Sequence, residues 1–98
     1  VCAAANDNAN GQVVVSGHVE AVARAMNLAK AKGARHSVLL PVSAPFHCPL
    51  MQPAADAMAA ALATAPIVAP SVTLIANVTA AAVTDVDMIR TLLVEQVC

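Results

Sequence analysis

The stretch that most limits what this chain can fold into is Ala44-Pro45-Phe46-His47-Cys48-Pro49, in which two prolines frame one histidine. A proline fixes its own φ and pushes the residue before it towards extended backbone. Ala44 and Cys48 are therefore biased out of the helical region, and a helix cannot run through the stretch. A strand-like run, Val38-Leu39-Leu40, enters it, and a helical pattern beginning near Leu50 leaves it. The backbone around His47 is expected to be a stiff turn. A general base must hold its lone pair within hydrogen-bond reach of the proton it removes, and a stiff mount suits that task. On spacing alone, a loop histidine hydrogen-bonded to nearby backbone fits equally well.

The chain before the bend reads as strand, turn, strand, helix, strand. Val1 to Ala5 is small and apolar, like the end of a strand. Asn6-Asp7-Asn8-Ala9-Asn10-Gly11 is a turn by composition, longer than a tight two-residue hairpin loop. Gln12 to Ser16 carries three consecutive valines and reads as a buried strand. After Gly17, a helix is expected from about His18 to Lys32, with Val19, Val22, Ala23, Met26 and Ala29 on one face. Glu20 in its first turn and Lys30 and Lys32 in its last suit the helix dipole, and Gly33 is a natural stop. Arg35 to Val42 is the next expected strand, and His18 and His36 are expected to face solvent.

After the bend, a helix is expected from about Leu50 to Thr64, with Met51, Ala54, Ala55, Met58 and Leu62 on one face and Pro53 in the first turn. Pro66 stops it. Val72 to Val78 alternates as a strand, with Asn77 near its end either a turn residue, the favoured reading, or a polar group facing the cleft. Thr84, with an acid at Asp87, resembles a capping box for a last helix, about Asp85 to Val97, that groups Ile89, Leu92 and Leu93. The class is α/β (α+β). The order strand, strand, helix, strand matches the later part of a ferredoxin-like βαββαβ unit with its first strand and helix absent.

The chain has 98 residues, 59% of them hydrophobic, with Phe46 the single aromatic. Much of the apolar content is alanine, which has little area to bury, so the core should be weak for its apparent hydrophobicity. Such a chain reads as a fragment whose missing neighbours would finish the core. The net charge of −1 and scattered basic residues, with no aromatic platform, argue against nucleic acid. No apolar run approaches the roughly 18 residues of a membrane span. Cys2, Cys48 and Cys98 form no CxxC pair, which points to a reducing, cytoplasmic setting. Cys48 beside His47 reads as a small buried filler rather than a metal ligand, so no metal is expected.

The run Leu40-Pro41-Val42-Ser43-Ala44-Pro45-Phe46-His47-Cys48-Pro49-Leu50-Met51 resembles the histidine segment of the malonyl-CoA:acyl-carrier-protein transacylase family. Asn6-Asp7-Asn8-Ala9-Asn10-Gly11-Gln12-Val13-Val14-Val15-Ser16-Gly17 resembles a second stretch of that family, at the matching separation. The resemblance implies part of a ferredoxin-like small subdomain over 1–42. Over 43–98 it implies part of a larger hydrolase-like α/β domain carrying the histidine turn. It implies transfer of a malonyl group from coenzyme A to the phosphopantetheine thiol of acyl carrier protein, through a serine ester, in fatty-acid biosynthesis. No cofactor is involved beyond these substrates. By the same resemblance His47 is the catalytic base. Asn8 faces the acyl pocket, or simply forms the turn. Phe46 helps to select malonyl, or simply packs beside the bend.

Several parts of that apparatus are missing. Ser16, Ser37, Ser43 and Ser71 lie outside any GxSxG elbow, and no arginine matches the family's carboxylate clamp. The isolated chain is therefore expected to be inactive. Two other readings stand beside this one: a piece of an acyltransferase domain from a polyketide or fatty-acid synthase, and a non-enzymatic ferredoxin-like binding module.

Overall fold

The computed structural model describes residues 1–98, which divide into two compact units, Val1–Leu50 and Met51–Cys98. The histidine bend, grouped by resemblance with the downstream half of the chain, lies at the end of the first unit.

The first unit opens with a hairpin of β1 (Cys2–Ala9) and β2 (Gln12–Gly17), antiparallel. The asparagine-rich run is therefore mostly strand, not turn. Only Asn10-Gly11 reverses the chain, and Gly11 takes the positive φ, 84°, that the turn requires. The expected long loop fails because cross-strand pairing overrides the preference of Asn and Asp for turns. Pairing continues through Asn6↔Val14 and Asp7↔Val13. The register slips twice, between Ala4 and Asn6 and between Asp7 and Ala9, so Ala5 and Asn8 each occupy a bulge. The three valines are not all buried: Val14 is half-buried, whereas Val13 and Val15 face outward. This is the alternation of a one-sided strand.

A β-carbon on Gly17 would overlap the Val1 carbonyl oxygen, so only glycine fits where β2 passes into the helix. That helix, α1 (Val19–Ala31), packs on the hairpin. Its half-buried face is Ala21, Val22, Ala25 and Met26, rotated from the expected stripe, and Val19 is left exposed. It ends in a Schellman motif. Gly33, at φ 100°, donates to the Lys30 carbonyl, and the Ala34 N–H returns to Ala29.

The expected strand over Arg35 to Val42 does not form. Its apolar centre, Val38-Leu39-Leu40, is exposed. A strand exists only where its N–H and C=O groups pair, and no other segment of the chain pairs with it.

In the second unit, α2 (Gln52–Thr64) follows a single 3₁₀ turn over Pro49–Met51, with proline in the helix's first turn as expected. Ala55 is its buried residue, Met51 and Leu62 are half-buried, and Ala54 and Met58 are exposed. The expected strand over Val72 to Val78 shrinks to β3 (Ile75–Ala76), paired antiparallel with the unforeseen β4 (Ala81–Ala82). Asn77 does begin the intervening turn, and its side-chain amide donates to Gln96 Oε1 at 3.0 Å.

The last helix is α3 (Val86–Glu95), which buries Ile89 and Leu92 but leaves Leu93 outside. Its cap is Asp85, whose carboxylate accepts the Met88 N–H at 2.9 Å, and not Thr84. The carboxylate one residue later stands in the N-cap geometry expected of the hydroxyl. Arg90 fastens α3 to α2. Its Nε donates to the Leu62 carbonyl and its Nη2 to that of Ala65, both at 2.9 Å. A cation thus sits at the carbonyl end of α2, where the helix dipole favours one.

Candidate active site

The bend that carries His47 is assembled from proline constraints. The Phe46 N–H donates to the Ala44 carbonyl at 3.0 Å, a γ-turn with Pro45 at its centre. The ring-fixed φ of proline lies near the value such a turn needs. A similar bond, Val42 N–H to the Leu40 carbonyl at 2.9 Å, closes around Pro41 upstream. Downstream, Pro49 starts the 3₁₀ turn that leads into α2.

Between these constraints, His47 adopts φ 56°, in the left-handed region. For a residue with a β-carbon that backbone is disfavoured, by about 1–2 kcal/mol in regular structure, although histidine tolerates it better than most. Held strain of this kind gathers where surrounding contacts fix one conformation. His47 and Phe46 are exposed, and the next residue, Cys48, is only 1% exposed. The Cys48 thiol donates to the Pro45 carbonyl, with Sγ and O 3.2 Å apart. The chain therefore turns one side chain inward and the two before it outward. Cys48 is the small buried residue expected, and it is also a hydrogen-bond donor. Its position three residues after a proline is the only sequence signal for that role.

Phe46 and His47 share this bend. Asn8 stands on a separate support, the bulge beside the hairpin turn, and is exposed. Bulges re-aim a side chain away from the alternation of the strand, and no residue pattern marks them in advance. No group of three or more His, Cys, Asp or Glu lies together as a metal site. Two grooves lie in the second unit. One, about 440 Å³, is lined by Leu62, Asp87, Arg90 and Thr91 among others. It holds no histidine or cysteine, and its arginine is already bonded to backbone, so it offers no acyl-transfer chemistry. What the bend offers is an outward-facing imidazole on constrained backbone, able to accept a proton and return it.

No protein-family model matches the chain. It is 47% identical over 91 residues to the malonyl CoA-acyl carrier protein transacylase of Escherichia coli, covering 93% of this chain and 29% of that protein. The backbone superposes with TM-score 0.90 on the crystal structure of an acyl-carrier-protein S-malonyltransferase from Bartonella henselae. That match, 55% identical, covers 99% of this chain and 31% of the other. It superposes with TM-score 0.93 on a malonyl-transacylase in complex with a type II PKS acyl-carrier protein, 39% identical over 99% of this chain and 31% of that one. The chain thus spans about 30% of the length of the curated relatives it matches. No helix in it is long and apolar enough to cross a membrane. In sequence and backbone alike, the chain is similar to one segment, about 30% of the length, of these malonyl CoA-acyl carrier protein transacylases.

Proposed function

We propose that this segment supplies the general base of a malonyl-CoA:acyl-carrier-protein transacylase of fatty-acid biosynthesis. The observation that carries the reading is His47, held in left-handed backbone between two prolines with its side chain exposed. In the proposed cycle, His47 takes the proton of a serine hydroxyl supplied by another part of the longer protein. The serine oxygen attacks the malonyl thioester carbonyl, the C–S bond breaks, and the coenzyme A thiolate leaves with the proton. The phosphopantetheine thiol of acyl carrier protein then gives its proton to His47 and attacks the ester. The serine regains its hydrogen as the new thioester forms. Transfer in two steps through a serine ester is the pattern of nucleophilic catalysis.

Asn8, on its bulge, is assigned to the acyl pocket and Phe46 to discrimination between malonyl and branched acyl groups. The reading needs no cofactor beyond the two thioester partners. It carries with it a ferredoxin-like origin for the hairpin and α1, and a cytoplasmic setting consistent with three free thiols. The likeness to a transacylase bound to a type II PKS carrier favours testing polyketide carriers as acceptors beside fatty-acid ones.

The test is a graft, in which these 98 residues replace the matching segment of the Escherichia coli relative. Malonylated carrier, read by mass spectrometry, is expected from the graft. His47→Ala is expected to lower its formation roughly 10²–10⁴-fold, the usual contribution of a positioned acid–base group. A folded graft whose rate is indifferent to His47→Ala removes the reading. The isolated chain is expected to form no malonylated carrier above a buffer control.

A further inference from the structure

We infer that Pro45 and Cys48 act together as positioning residues for the His47 imidazole, holding its backbone in the left-handed well from which the ring is presented. The inference rests on the transacylase reading. A residue with a β-carbon stays in that well only when its surroundings over-determine it. Two contacts do so from opposite sides of His47. Before it, the γ-turn from Phe46 N–H to the Ala44 carbonyl is pre-set by the Pro45 ring. After it, the Cys48 thiol reaches back three residues to the Pro45 carbonyl and closes the bend around Phe46 and His47. The accepting carbonyl belongs to the residue whose ring shapes the turn, so the two contacts form one clamp. Cys48 is 1% exposed, and its bond to the half-buried Pro45 is part-buried, so the donor side is shielded from water. A thiol is a weak donor, but it fills apolar space while still donating.

A clamp and a mere filler predict opposite orders of substitution. A filler accepts alanine and rejects serine, whose hydroxyl is costly to bury without a partner. A clamp loses its donor with alanine and keeps it with serine. In the graft, Cys48→Ala is expected to lower kcat roughly tenfold with KM little changed, since small misplacements of a catalytic group carry costs of that order. Cys48→Ser is expected to recover most of the loss. Pro45→Ala, which opens no cavity at Cys48, is expected to lower kcat in the same way and keeps the test decisive if Cys48→Ala does not fold. Backbone scalar couplings of isotopically labelled His47 read φ without reference to activity. They are expected to leave the left-handed value in Cys48→Ala and Pro45→Ala, and to regain it in Cys48→Ser.

Parent-like couplings and kcat in Cys48→Ala overturn the inference, as does serine performing worse than alanine. Couplings that move while kcat does not also overturn it. A folded graft that shows left-handed His47 yet moves no malonyl fails the transacylase reading instead, and the catalytic role of the clamp falls with it. Unchanged couplings in an active graft fail the clamp alone.

Discussion

Two residues other than glycine hold left-handed backbone, His47 at φ 56° and Ala80 at φ 51°, and they do so for different reasons. His47 carries an imidazole whose direction depends on that backbone. Ala80 carries a methyl group that gains nothing from it. Ala80 closes the turn between β3 and β4, with its N–H on the Ala76 carbonyl at 2.8 Å, and its side chain is exposed. Gly11 and Gly33 meet the same demand, at φ 84° and 100°, without the steric cost. Ala80→Gly relieves about 1–2 kcal/mol of left-handed strain and returns about 0.5–1 kcal/mol of chain entropy to the unfolded state. The net expectation is a gain of about 0.5–1 kcal/mol. It would appear in the graft as a higher urea midpoint with an unchanged slope. A lower midpoint would mean that the methyl group makes a contact the backbone penalty does not outweigh.

The helices were legible in the residues, but among the strands only β2, expected over Gln12 to Ser16 and found over Gln12–Gly17, was legible nearly whole, for reasons of hydrogen bonding. A helix closes its bonds within a few residues, so caps and breakers in its own sequence mark its ends. Gly33 and Pro53 did so for α1 and α2. Asp85 also marked an end, once the cap is moved by one residue from Thr84. A strand depends on what lies beside it. Arg35–Val42 has the composition of a strand and no partner, whereas Asn6-Asp7-Asn8 has the composition of a turn and pairs with valines. The bend at His47 was legible as a stiff turn because prolines act locally, but its left-handed φ and the Cys48 bond depend on three-dimensional closure.

The junction of α2 and α3 was invisible for the same reason, since Arg90 meets carbonyls 25 and 28 residues away. Those two bonds are charge-assisted and part-buried, a class worth about 1.5–3 kcal/mol each before solvent competition. Arg90→Leu is expected to destabilise the graft by about 1–3 kcal/mol. Arg90→Lys is expected to restore little, because a point ammonium cannot fork to two carbonyls. Asp87 pairs with Arg90 at 3.4 Å but its side chain is 94% exposed, so Asp87→Asn should cost under about 1 kcal/mol. Urea titration separates the three. An Asp87 effect as large as that of Arg90→Leu would show that the ion pair, not the helix-end capping, holds the junction.

At the scale of the whole chain, exposed surface decides what the 98 residues do alone. A folded monomer of 9.9 kDa typically exposes about 5,200 Å², whereas this chain exposes 7242 Å². Its buried apolar set is Cys48, Ala55, Ile89 and Leu92, divided between two units, and two of the four side chains are small. Val38, Leu39, Leu40 and Val42 stand exposed along one unpaired segment. Apolar surface of that kind, on a segment that joins no sheet, recruits other chains. The isolated chain is therefore expected to keep helical far-ultraviolet dichroism, bind a hydrophobic dye, melt over a broad range and sediment as more than a monomer at micromolar concentration. In the graft, the same residues should melt within one cooperative transition, because the surrounding polypeptide covers what they leave open. A sharp, reversible melt of a dye-free monomer of the isolated chain would show that these few buried contacts suffice, and that the exposed run at Val38–Val42 needs no cover.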